Sequence, residues 1–233
     1  NKKKLIKILN NKKKLGFVPT MGNIHLGHIS LINRSIAQCD KTIVTIFINK
    51  PQFNRGRDFN KYPRTLNKDI SILKKLKVDY LYLPSHKQIY PKGNNKKIKI
   101  NSLEKKLCGK FRPGHFKAVV DVIDRFIKII NPNNIYFGRK DLQQLIIVKD
   151  YINKKFNKVK VIACDTIREK NGIAYSSRNA LLSQKELLKA SKVYKILVKN
   201  KKNLFKKKIS IKKISDQILN LGIRKIDYIK FLD

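Results

Sequence analysis

The sequence predicts an α/β fold in which a parallel sheet is flanked by helices. Short runs rich in β-branched residues alternate with stretches of helical period, which is the pattern of such a sheet. The predicted strands are 15–18, 42–48, 80–83, 135–137 and 159–163, and the predicted helices are 28–38, 62–76, 116–130, 142–156 and 184–200. After Arg178 the pattern changes to two lysine-rich helices and a short strand at 227–232. We therefore expect a larger domain with the parallel sheet over 1–178 and a small α+β C-terminal domain over 179–233.

The composition excludes several classes of protein. With 233 residues, 42% of them apolar, the chain can bury a core and is not expected to be disordered. Its three cysteines, Cys39, Cys108 and Cys164, are far apart, so neither a disulfide framework nor a zinc site is indicated. No apolar run approaches the roughly 20 residues of a membrane span, and the first residues lack the apolar core of a signal peptide. We expect a cytoplasmic protein with no membrane partner.

The charge has two possible explanations. Lys+Arg number 55 against 15 Asp+Glu, a formal net charge of +40, which is typical of proteins that bind nucleic acid or other polyanions. The lysines, however, are spread among isoleucine and asparagine along the whole chain, and AT-rich codons specify these three residues. Biased coding DNA explains the excess without a partner, and polyanion binding would then be incidental. Because the sequence has no RRM, KH or zinc-knuckle pattern, we expect no specific nucleic-acid partner.

The first candidate site is the segment 17–28, FVPTMGNIHLGH, which runs from a predicted strand into a helix. Gly22 and Gly27 let the backbone turn tightly and approach a ligand. His25 and His28 fall on one face at the helix start, where free N–H groups and the helix dipole favour phosphate. Their imidazoles could stabilise the charge that develops as pyrophosphate leaves. A metal pair or an ordinary helix cap is the alternative interpretation.

Polar side chains follow the second predicted strand and the turns beyond it. Asn49 and Gln52 lie at the carboxyl end of the strand, where amides can hold a substrate hydroxyl or carboxylate, although a plain turn is the alternative. Asp69 is predicted either to hold Mg²⁺ near a triphosphate or to be a solvated helix residue. His115, in the turn Arg-Pro-Gly-His, is predicted to order a loop rather than to catalyse.

Two later segments also follow strands. The segment 137–144 places a glycine, Lys140 and a helix-capping Asp141 at a strand-to-helix junction, suited to a phosphate contact by Lys140 and a substrate contact by Gln144. The segment 167–179 offers two serine hydroxyls and an arginine on a glycine-hinged loop, suited to closing over a triphosphate.

Five segments together resemble the pantothenate synthetase (pantoate–β-alanine ligase) family, a member of the H-x-G-H nucleotidyl-transferase superfamily with a Rossmann-like core. They are 17–28, 46–53 with 62–69, 111–116, 137–144 and 167–179. The resemblance extends from about Leu5 to about Leu221, with the motifs in the family's order. It implies that ATP and (R)-pantoate give pantoyl adenylate and pyrophosphate, and that β-alanine then attacks the adenylate to give pantothenate and AMP. It also implies a homodimer joined through the N-terminal domain, Mg²⁺ bound with ATP, and a C-terminal lid over the ATP site.

The resemblance assigns roles to particular residues, with His28 as proton donor and phosphate stabiliser. The implied catalytic residues are His28, His25, Lys140 and Arg178. The implied ATP contacts are Met21, Gly22, Asn23, Ile24, His25, Leu26, Gly27, His28, Gly138, Arg139, Lys140, Asp141, Ile167, Tyr175, Ser176, Ser177 and Arg178. The side chains implied to contact pantoate and β-alanine are Gln52, Gln144 and Asn49, and the carboxylate implied near Mg²⁺ is Asp69.

Several positions depart from the family's pattern. The usual Asn-Pro-x-Gln is Asn-Lys-Pro-Gln over 49–52, and the usual Gly-Glu-Lys-Asp contains Arg139. The Gly and Thr that follow the Arg-Pro-Gly-His-Phe segment are Ala118 and Asp121. None of these changes removes a proposed catalytic side chain. The chain also ends at Asp233, before further strands that the resemblance implies, so a looser lid and weaker ATP binding are expected.

Two other functions compete with this interpretation. Cytidylyltransferases and aminoacyl-tRNA synthetases share the H-x-G-H chemistry, but they lack Gln52 and Gln144 in these contexts. An RNA-binding module without enzymatic activity is the interpretation from charge alone, and it predicts basic clusters interleaved with exposed aromatic residues. The expected activity is therefore that of an AMP-forming ligase.

Overall fold

The chain forms two compact units. The computed structural model describes residues 13–95, 97–206 and 208–231. The first unit ends at Ile167 and the second begins at Arg168, so the division falls earlier than the one predicted after Arg178.

The segment that follows Ile167 folds with the second unit because of its own contacts. Arg168 and Ala174 form an antiparallel bridge, which turns the segment back on itself. The guanidinium of Arg168 lies 4.1 Å from the centroid of the Tyr194 ring, and Gly172 packs against the same ring so closely that a Cβ would overlap it. Tyr194 belongs to the long helix of the second unit, which explains the earlier boundary.

The first unit is built on a five-stranded parallel sheet, which confirms the predicted fold class. Its strands are β1 (Leu15–Thr20), β2 (Lys41–Ile46), β3 (Tyr80–Tyr82), β4 (Asn134–Gly138) and β5 (Lys160–Cys164). Each overlaps a predicted strand, because each is a short β-branched or aromatic run. The order in the sheet is β3-β2-β1-β4-β5.

Helices cover both faces of the sheet. The helices of this unit are α1 (Leu26–Gln38), α2 (Gly56–Lys61), α3 (Leu66–Lys75), α4 (His86–Ile89), α5 (Cys108–Phe111), α6 (His115–Ile130) and α7 (Leu142–Lys155). Successive strand residues point to opposite faces, so Phe17 and Ile43 join the core beneath α6 and α7, whereas Val18 and Val44 join the core beneath α1 and α3. Burial on both faces accounts for the nearly continuous apolar strands.

The second unit is helical in the described residues. A capping box, in which the Ser183 and Glu186 side chains bond to each other's backbone N–H, begins α8 (Gln184–Phe205). The next helix is α9 (Ile211–Leu219). The prediction of a strand at 227–232 is wrong over 227–231, because these residues form no regular secondary structure. Residue 232 lies outside the described residues. A strand needs a neighbour for its backbone groups, and the elements that precede this segment are helices. Among the described helices, none combines the length and apolar character that crossing a bilayer requires.

The sheet and α1 approach each other closely at Gly16. The Ser35 Oγ of α1 lies where a Cβ of residue 16 would stand, and it hydrogen bonds to the Thr42 Oγ1 of β2 at 2.8 Å. The Cys39 sulfur and the Tyr136 ring lie 3.1 and 3.2 Å from the same point. Glycine is required here by space rather than by backbone conformation.

Gly16→Ala should therefore destabilise the first unit by about 1–3 kcal/mol, as overpacking of a rigid core does. Gly56→Ala is the matched control, because no atom lies within 4 Å of the added methyl group and the residue is exposed. Thermal or urea unfolding of both variants measures the difference. Equal stability of the two variants would show that α1 can move away from the sheet at little cost.

Candidate active site

The candidate site lies where the strand order reverses. β1 and β4 are neighbours in the sheet, and the strands that follow them in the chain extend to opposite sides. The carboxyl ends of β1 and β4 therefore form the crevice in which open α/β sheets bind ligands. β1 leads into the loop 21–25, and β4 leads into the 3₁₀ turn Arg139–Asp141.

A buried carboxylate holds the loop 21–25. Asp69 is 1% exposed and accepts the backbone N–H groups of Asn23 at 2.9 Å and Ile24 at 2.7 Å. Gly22 and Asn23 have φ values of +82° and 50°, a left-handed turn that glycine and asparagine adopt with least strain. The Thr65 hydroxyl donates to the carboxylate at 3.2 Å. The prediction that Asp69 is a solvated helix residue is therefore wrong, because the residue is buried. Its carboxylate instead positions the loop that carries the histidines.

The two histidines of that loop stack on each other. The ring centroids of His25 and His28 are 3.9 Å apart and the rings are 17° from parallel. His25 is the N-cap residue of α1, but its side chain makes no capping hydrogen bond, so the predicted alternative of an ordinary cap does not apply. The described residues contain no group of three or more His, Cys, Asp or Glu suited to a metal ion.

Burial favours the neutral forms of both histidines. Burial lowers the pKa of His28 to about 3, with further contributions from His25 and from Lys140. Burial and the charge of Lys140 lower the pKa of His25 as well. Within the described part of the chain, the buried Nδ1 of His28 has no hydrogen-bond partner. The charge of Lys140 thus acts on both rings, and the site combines this ammonium with imidazoles whose neutral forms are favoured and can donate to an anion.

The turn after β4 differs from its prediction in one respect. Asp141 occupies the N-cap position of α7, but its side chain makes no capping hydrogen bond. Its carboxylate lies 3.5 Å from the Lys140 ammonium instead, and both side chains are largely exposed. The prediction of a capping aspartate is therefore wrong, because the carboxylate is drawn to the neighbouring positive charge.

The predicted substrate amides lie beside the histidine loop. Asn49 is 1% exposed, and its Nδ2 donates to the Gln52 Oε1 at 3.1 Å. The Gln52 Nε2 lies 3.1 Å from the sulfur of Met21, the first residue after β1. The amide of Gln52 is thus next to the histidine loop and not in an isolated turn.

The turn that carries Gln52 is fixed by the Arg-Pro-Gly-His segment. The His115 Nδ1 lies 2.8 Å from the Gln52 backbone oxygen, and an Arg112 N–H donates to the same oxygen at 3.4 Å. The Asn54 Nδ2 donates to the Pro113 carbonyl at 2.8 Å. These contacts agree with the predicted loop-ordering role of His115.

Comparison with known proteins gives a consistent result. A family model described as pantoate-beta-alanine ligase matches residues 1–233. A pantothenate synthetase of Sulfurihydrogenibium sp. (strain YO3AOP1) is 39% identical over 238 residues, which cover 98% of this chain and 84% of the relative. The chain belongs to the pantoate–β-alanine ligase family. The resemblance inferred from the five motifs is thereby confirmed.

Solved structures of the family share the fold. A pantoate-beta-alanine ligase from Francisella tularensis, complexed with beta-gamma ATP and beta-alanine, is 39% identical, covers 100% of this chain and 88% of its own, and has a TM-score of 0.92. A pantothenate synthetase from Thermus thermophilus is 32% identical, covers 95% of this chain and 80% of its own, and has a TM-score of 0.85.

The two adjacent glutamines at the start of α7 have different environments. Both the nitrogen and the oxygen of the Gln143 amide hydrogen bond to the chain around the start of α5. The Nε2 donates to the Leu103 and Lys106 carbonyls at 2.8 Å, and the Oε1 accepts the Cys108 N–H at 3.1 Å. Gln144 is half-buried, consistent with the substrate contact that the family resemblance implies. Sequence reasoning missed the structural role of Gln143, since the carbonyls that it binds lie far away in the chain.

The last predicted segment belongs to the second unit except for Ile167, which ends the first unit. The Ser176 Oγ accepts the Arg178 N–H at 3.3 Å and caps the 3₁₀ turn Ser177–Leu181. Ser177 is buried and Arg178 is half-buried. The Asn179 side chain donates to the Glu169 carboxylate at 3.0 Å and to the Ala174 carbonyl at 3.1 Å. These hydrogen bonds join the end of the segment to its earlier residues. The role of Tyr175, Ser176, Ser177 and Arg178 in ATP binding stays a prediction.

Asp69→Asn should destabilise the fold by about 1–3 kcal/mol, because an amide can accept only one of the two N–H groups and turns its own N–H toward the other. The variant should also bind ATP more weakly, because the loop 21–25 loses one of the hydrogen bonds that fix its conformation. Asp150→Asn is the control, because Asp150 is a partly exposed carboxylate whose ion pair with Lys154 joins successive turns of one helix. Urea unfolding and nucleotide titration measure both effects, and equal stability of the two variants would contradict the assignment.

His28 should destabilise the fold at acid pH. In the unfolded chain its pKa is 6.5 and in the folded chain it is about 3, so between these values the unfolded state binds more protons and stability falls as the pH falls. His28→Gln removes the titrating group and should lose less stability on acidification from about pH 7 to about pH 4. Melting temperatures across that range measure it. The same pH dependence in both proteins would show that His28 takes up its proton in the folded state.

Proposed function

We propose that the chain carries out the ligation of its family by the two-step route that the sequence implied. In the first step a pantoate carboxylate oxygen bonds to the α-phosphorus of ATP, and the bond from that phosphorus to the bridging oxygen breaks to release pyrophosphate. In the second step the β-alanine amine attacks the acyl carbon, AMP leaves with the acyl C–O electron pair, and the amine loses a proton. A free carboxylate is a poor electrophile, so the adenylate supplies the leaving group.

One observation carries the proposal: the stacked histidines at the start of α1, Lys140 at the end of β4 and the amide of Gln52 lie around the crevice between β1 and β4. Negative charge develops on the leaving pyrophosphate oxygen in the first step. Preorganised donors aimed at such charge stabilise the transition state more than the ground state. The helix N-terminus, the imidazoles and the ammonium are donors of this kind.

The low pKa of His28 defines how it would act. With a pKa of about 3 the imidazole of the free protein is neutral at physiological pH. It would meet the triphosphate as a neutral N–H donor. The charge of the bound nucleotide raises the pKa, because a nearby anion favours the imidazolium form. Proton donation to the leaving group is therefore a property of the nucleotide complex and not of the free protein.

The pantoate site is proposed to use the amides of Gln52 and Gln144. Their donors and acceptors suit the carboxylate and hydroxyl groups of the acid. The contact between Gln52 and Met21 supports this, because an acid bound at Gln52 would then lie next to a nucleotide bound at the loop 21–25. Such proximity contributes to the rate by aligning the carboxylate with the α-phosphorus.

We propose that Mg²⁺ enters as the MgATP complex. The contacts of Asp69 do not favour a resident metal site: each carboxylate oxygen already accepts a loop N–H, and the residue is almost fully buried. Because phosphate oxygens are good ligands for Mg²⁺, the nucleotide itself can hold the ion.

The remaining implied properties are proposals of the same kind. They are the closing of the second unit over the nucleotide, assembly of the chain as a homodimer and a cytoplasmic location. Each comes from the family resemblance.

The dependence of the reaction on each substrate tests the proposed ligase activity. The purified chain is incubated with MgATP, pantoate and β-alanine, and AMP, pyrophosphate and pantothenate are measured. AMP release should require both acids, whereas exchange of labelled pyrophosphate into ATP should require pantoate alone. AMP release with a standard amino acid alone would instead indicate a relative of the aminoacyl-tRNA synthetases.

His28→Ala should cost about 3 kcal/mol in the transition state of adenylation, a loss on the order of a hundredfold in rate, as the removal of one preorganised donor does. Pantoate-dependent pyrophosphate exchange measures the step directly. A melting curve of the variant shows whether it is folded, since its Nδ1 has no partner to lose in the described residues. Near-normal exchange in a folded variant would refute the assigned role.

A further inference from the structure

A chain of side-chain hydrogen bonds leads from the core to Gln52. The Tyr90 hydroxyl donates to the Asn49 Oδ1 at 2.7 Å. The Asn49 Nδ2 donates to the Gln52 Oε1 at 3.1 Å. The Gln52 Nε2 then lies 3.1 Å from the Met21 sulfur. Tyr90 is separated from Asn49 by 41 positions in the sequence.

The direction of these hydrogen bonds is set by a group that can only accept. The Asn49 Nδ2 also donates to the backbone carbonyl of Ala118 at 3.2 Å. Since a carbonyl oxygen has no proton, the NH₂ of Asn49 must face Ala118 and its oxygen must face Tyr90. Tyr90 is then the donor of the first bond, and Gln52 must turn its oxygen toward Asn49. The NH₂ group of Gln52 is left facing the histidine loop.

Burial and the contacts of Arg125 hold Tyr90 in the position from which its hydroxyl donates to Asn49. It is 5% exposed, and burial raises the pKa of its phenol, which therefore keeps the proton that it donates. The Arg125 guanidinium lies 4.5 Å from the ring centroid and donates to the Ile89 and Gly93 carbonyls at 2.7 and 2.9 Å, on either side of Tyr90. Asp121 in turn accepts from Arg125 at 2.7 Å and from the Asn95 N–H at 2.9 Å. One departure from the family pattern, Asp121, thus braces this segment.

We propose that Tyr90 is a positioning residue for the pantoate site: acting through Asn49, it holds Gln52 with its NH₂ group toward the substrate. At this point the site then selects an acceptor, namely a carboxylate, hydroxyl or carbonyl oxygen, over a group that can only donate. The inference rests on the proposed function, in which Gln52 contacts pantoate. It also changes the role of Asn49, whose amide is committed to Tyr90, Gln52 and Ala118 rather than to β-alanine.

A purely structural role for Tyr90 makes a different prediction. If the hydroxyl only stabilised the buried Asn49, its removal would lower the melting temperature and leave substrate binding unchanged. If it orients Gln52, removal lets the two amides sample the reversed orientation, and the KM for pantoate rises. The KM for ATP should change less than the KM for pantoate, because the hydrogen bonds of Tyr90 and Asn49 reach the histidine loop only through Gln52.

Tyr90→Phe removes only the hydroxyl. We expect the KM for pantoate in pyrophosphate exchange to rise roughly five- to tenfold, the effect of losing one orienting hydrogen bond. Tyr82→Phe is the matched control, because Tyr82 is also buried but its hydroxyl has no partner among the described residues. That variant should keep the pantoate KM of the unaltered chain. A pantoate KM in Tyr90→Phe equal to that of Tyr82→Phe would overturn the proposal.

A double-mutant cycle shows whether Tyr90 acts through Gln52. In a Gln52→Ala background there is no amide left to orient, so Tyr90→Phe should cause no further rise in the pantoate KM. Additive effects of the two substitutions would overturn the proposal. The cycle depends on a pantoate-dependent reaction in the unaltered chain. If that reaction is absent, the proposed function fails; if it is present and the two effects add, only the role of Tyr90 fails.

A measurement on the unaltered chain covers the case in which Tyr90→Phe does not fold. In ¹⁵N-labelled protein, pantoate should move the side-chain Nε2–H resonances of Gln52 downfield, because these protons become hydrogen-bonded to the acid. The side-chain amide of Asn203, in α8 of the second unit, serves as a reference that should not move. Unchanged Gln52 resonances at saturating pantoate would contradict the proposed orientation.

Discussion

The hold of Asp69 on the loop between β1 and α1 is the interaction on which the rest of the site depends. A loop with two consecutive residues at positive φ is costly to order. Two charge-assisted hydrogen bonds, which the loop N–H groups donate to a buried carboxylate, offset that cost. The loop fixes where α1 begins, and the start of α1 fixes both imidazoles. A carboxylate on α3 thus determines the geometry at the end of β1 across 45 positions of sequence.

The parallel sheet then brings separate segments to the same edge. The ends of β1, β2 and β4 supply the histidine loop, the amide turn and Lys140, and each segment is held by its own set of contacts. Asp69 holds the first and His115 the second. Because these supports are independent of one another, the loops can differ in sequence, as at 49–52 and Arg139, without disturbing the sheet.

Local patterns were sufficient to predict the elements that local physics determines. The five strands and the main helices of the first unit follow from runs of β-branched residues and from helical periodicity, and the placement of polar segments after strands predicted the site edge. Contacts between distant residues were not predictable in this way. Nothing in the sequence around Tyr90 indicates that its hydroxyl meets Asn49. The capping role of Asp141 failed because a nearby lysine competes for the carboxylate. The strand predicted at 227–232 is absent over the described residues 227–231, because a strand needs a pairing partner that its own residues do not supply.

Acidic side chains are scarce in this chain, and the buried ones each serve several groups. Asp124, for example, is almost fully buried and accepts from Tyr151, Lys128 and Lys155 at 2.7–2.8 Å, while Asp69 and Asp121 are shared in the same manner. A drift in coding DNA toward lysine and asparagine can replace carboxylates on the exterior with little consequence. At these three interior positions, the same drift would place a cation or a second amide against groups that need an acceptor. They set an upper limit to how basic a chain with this fold can become.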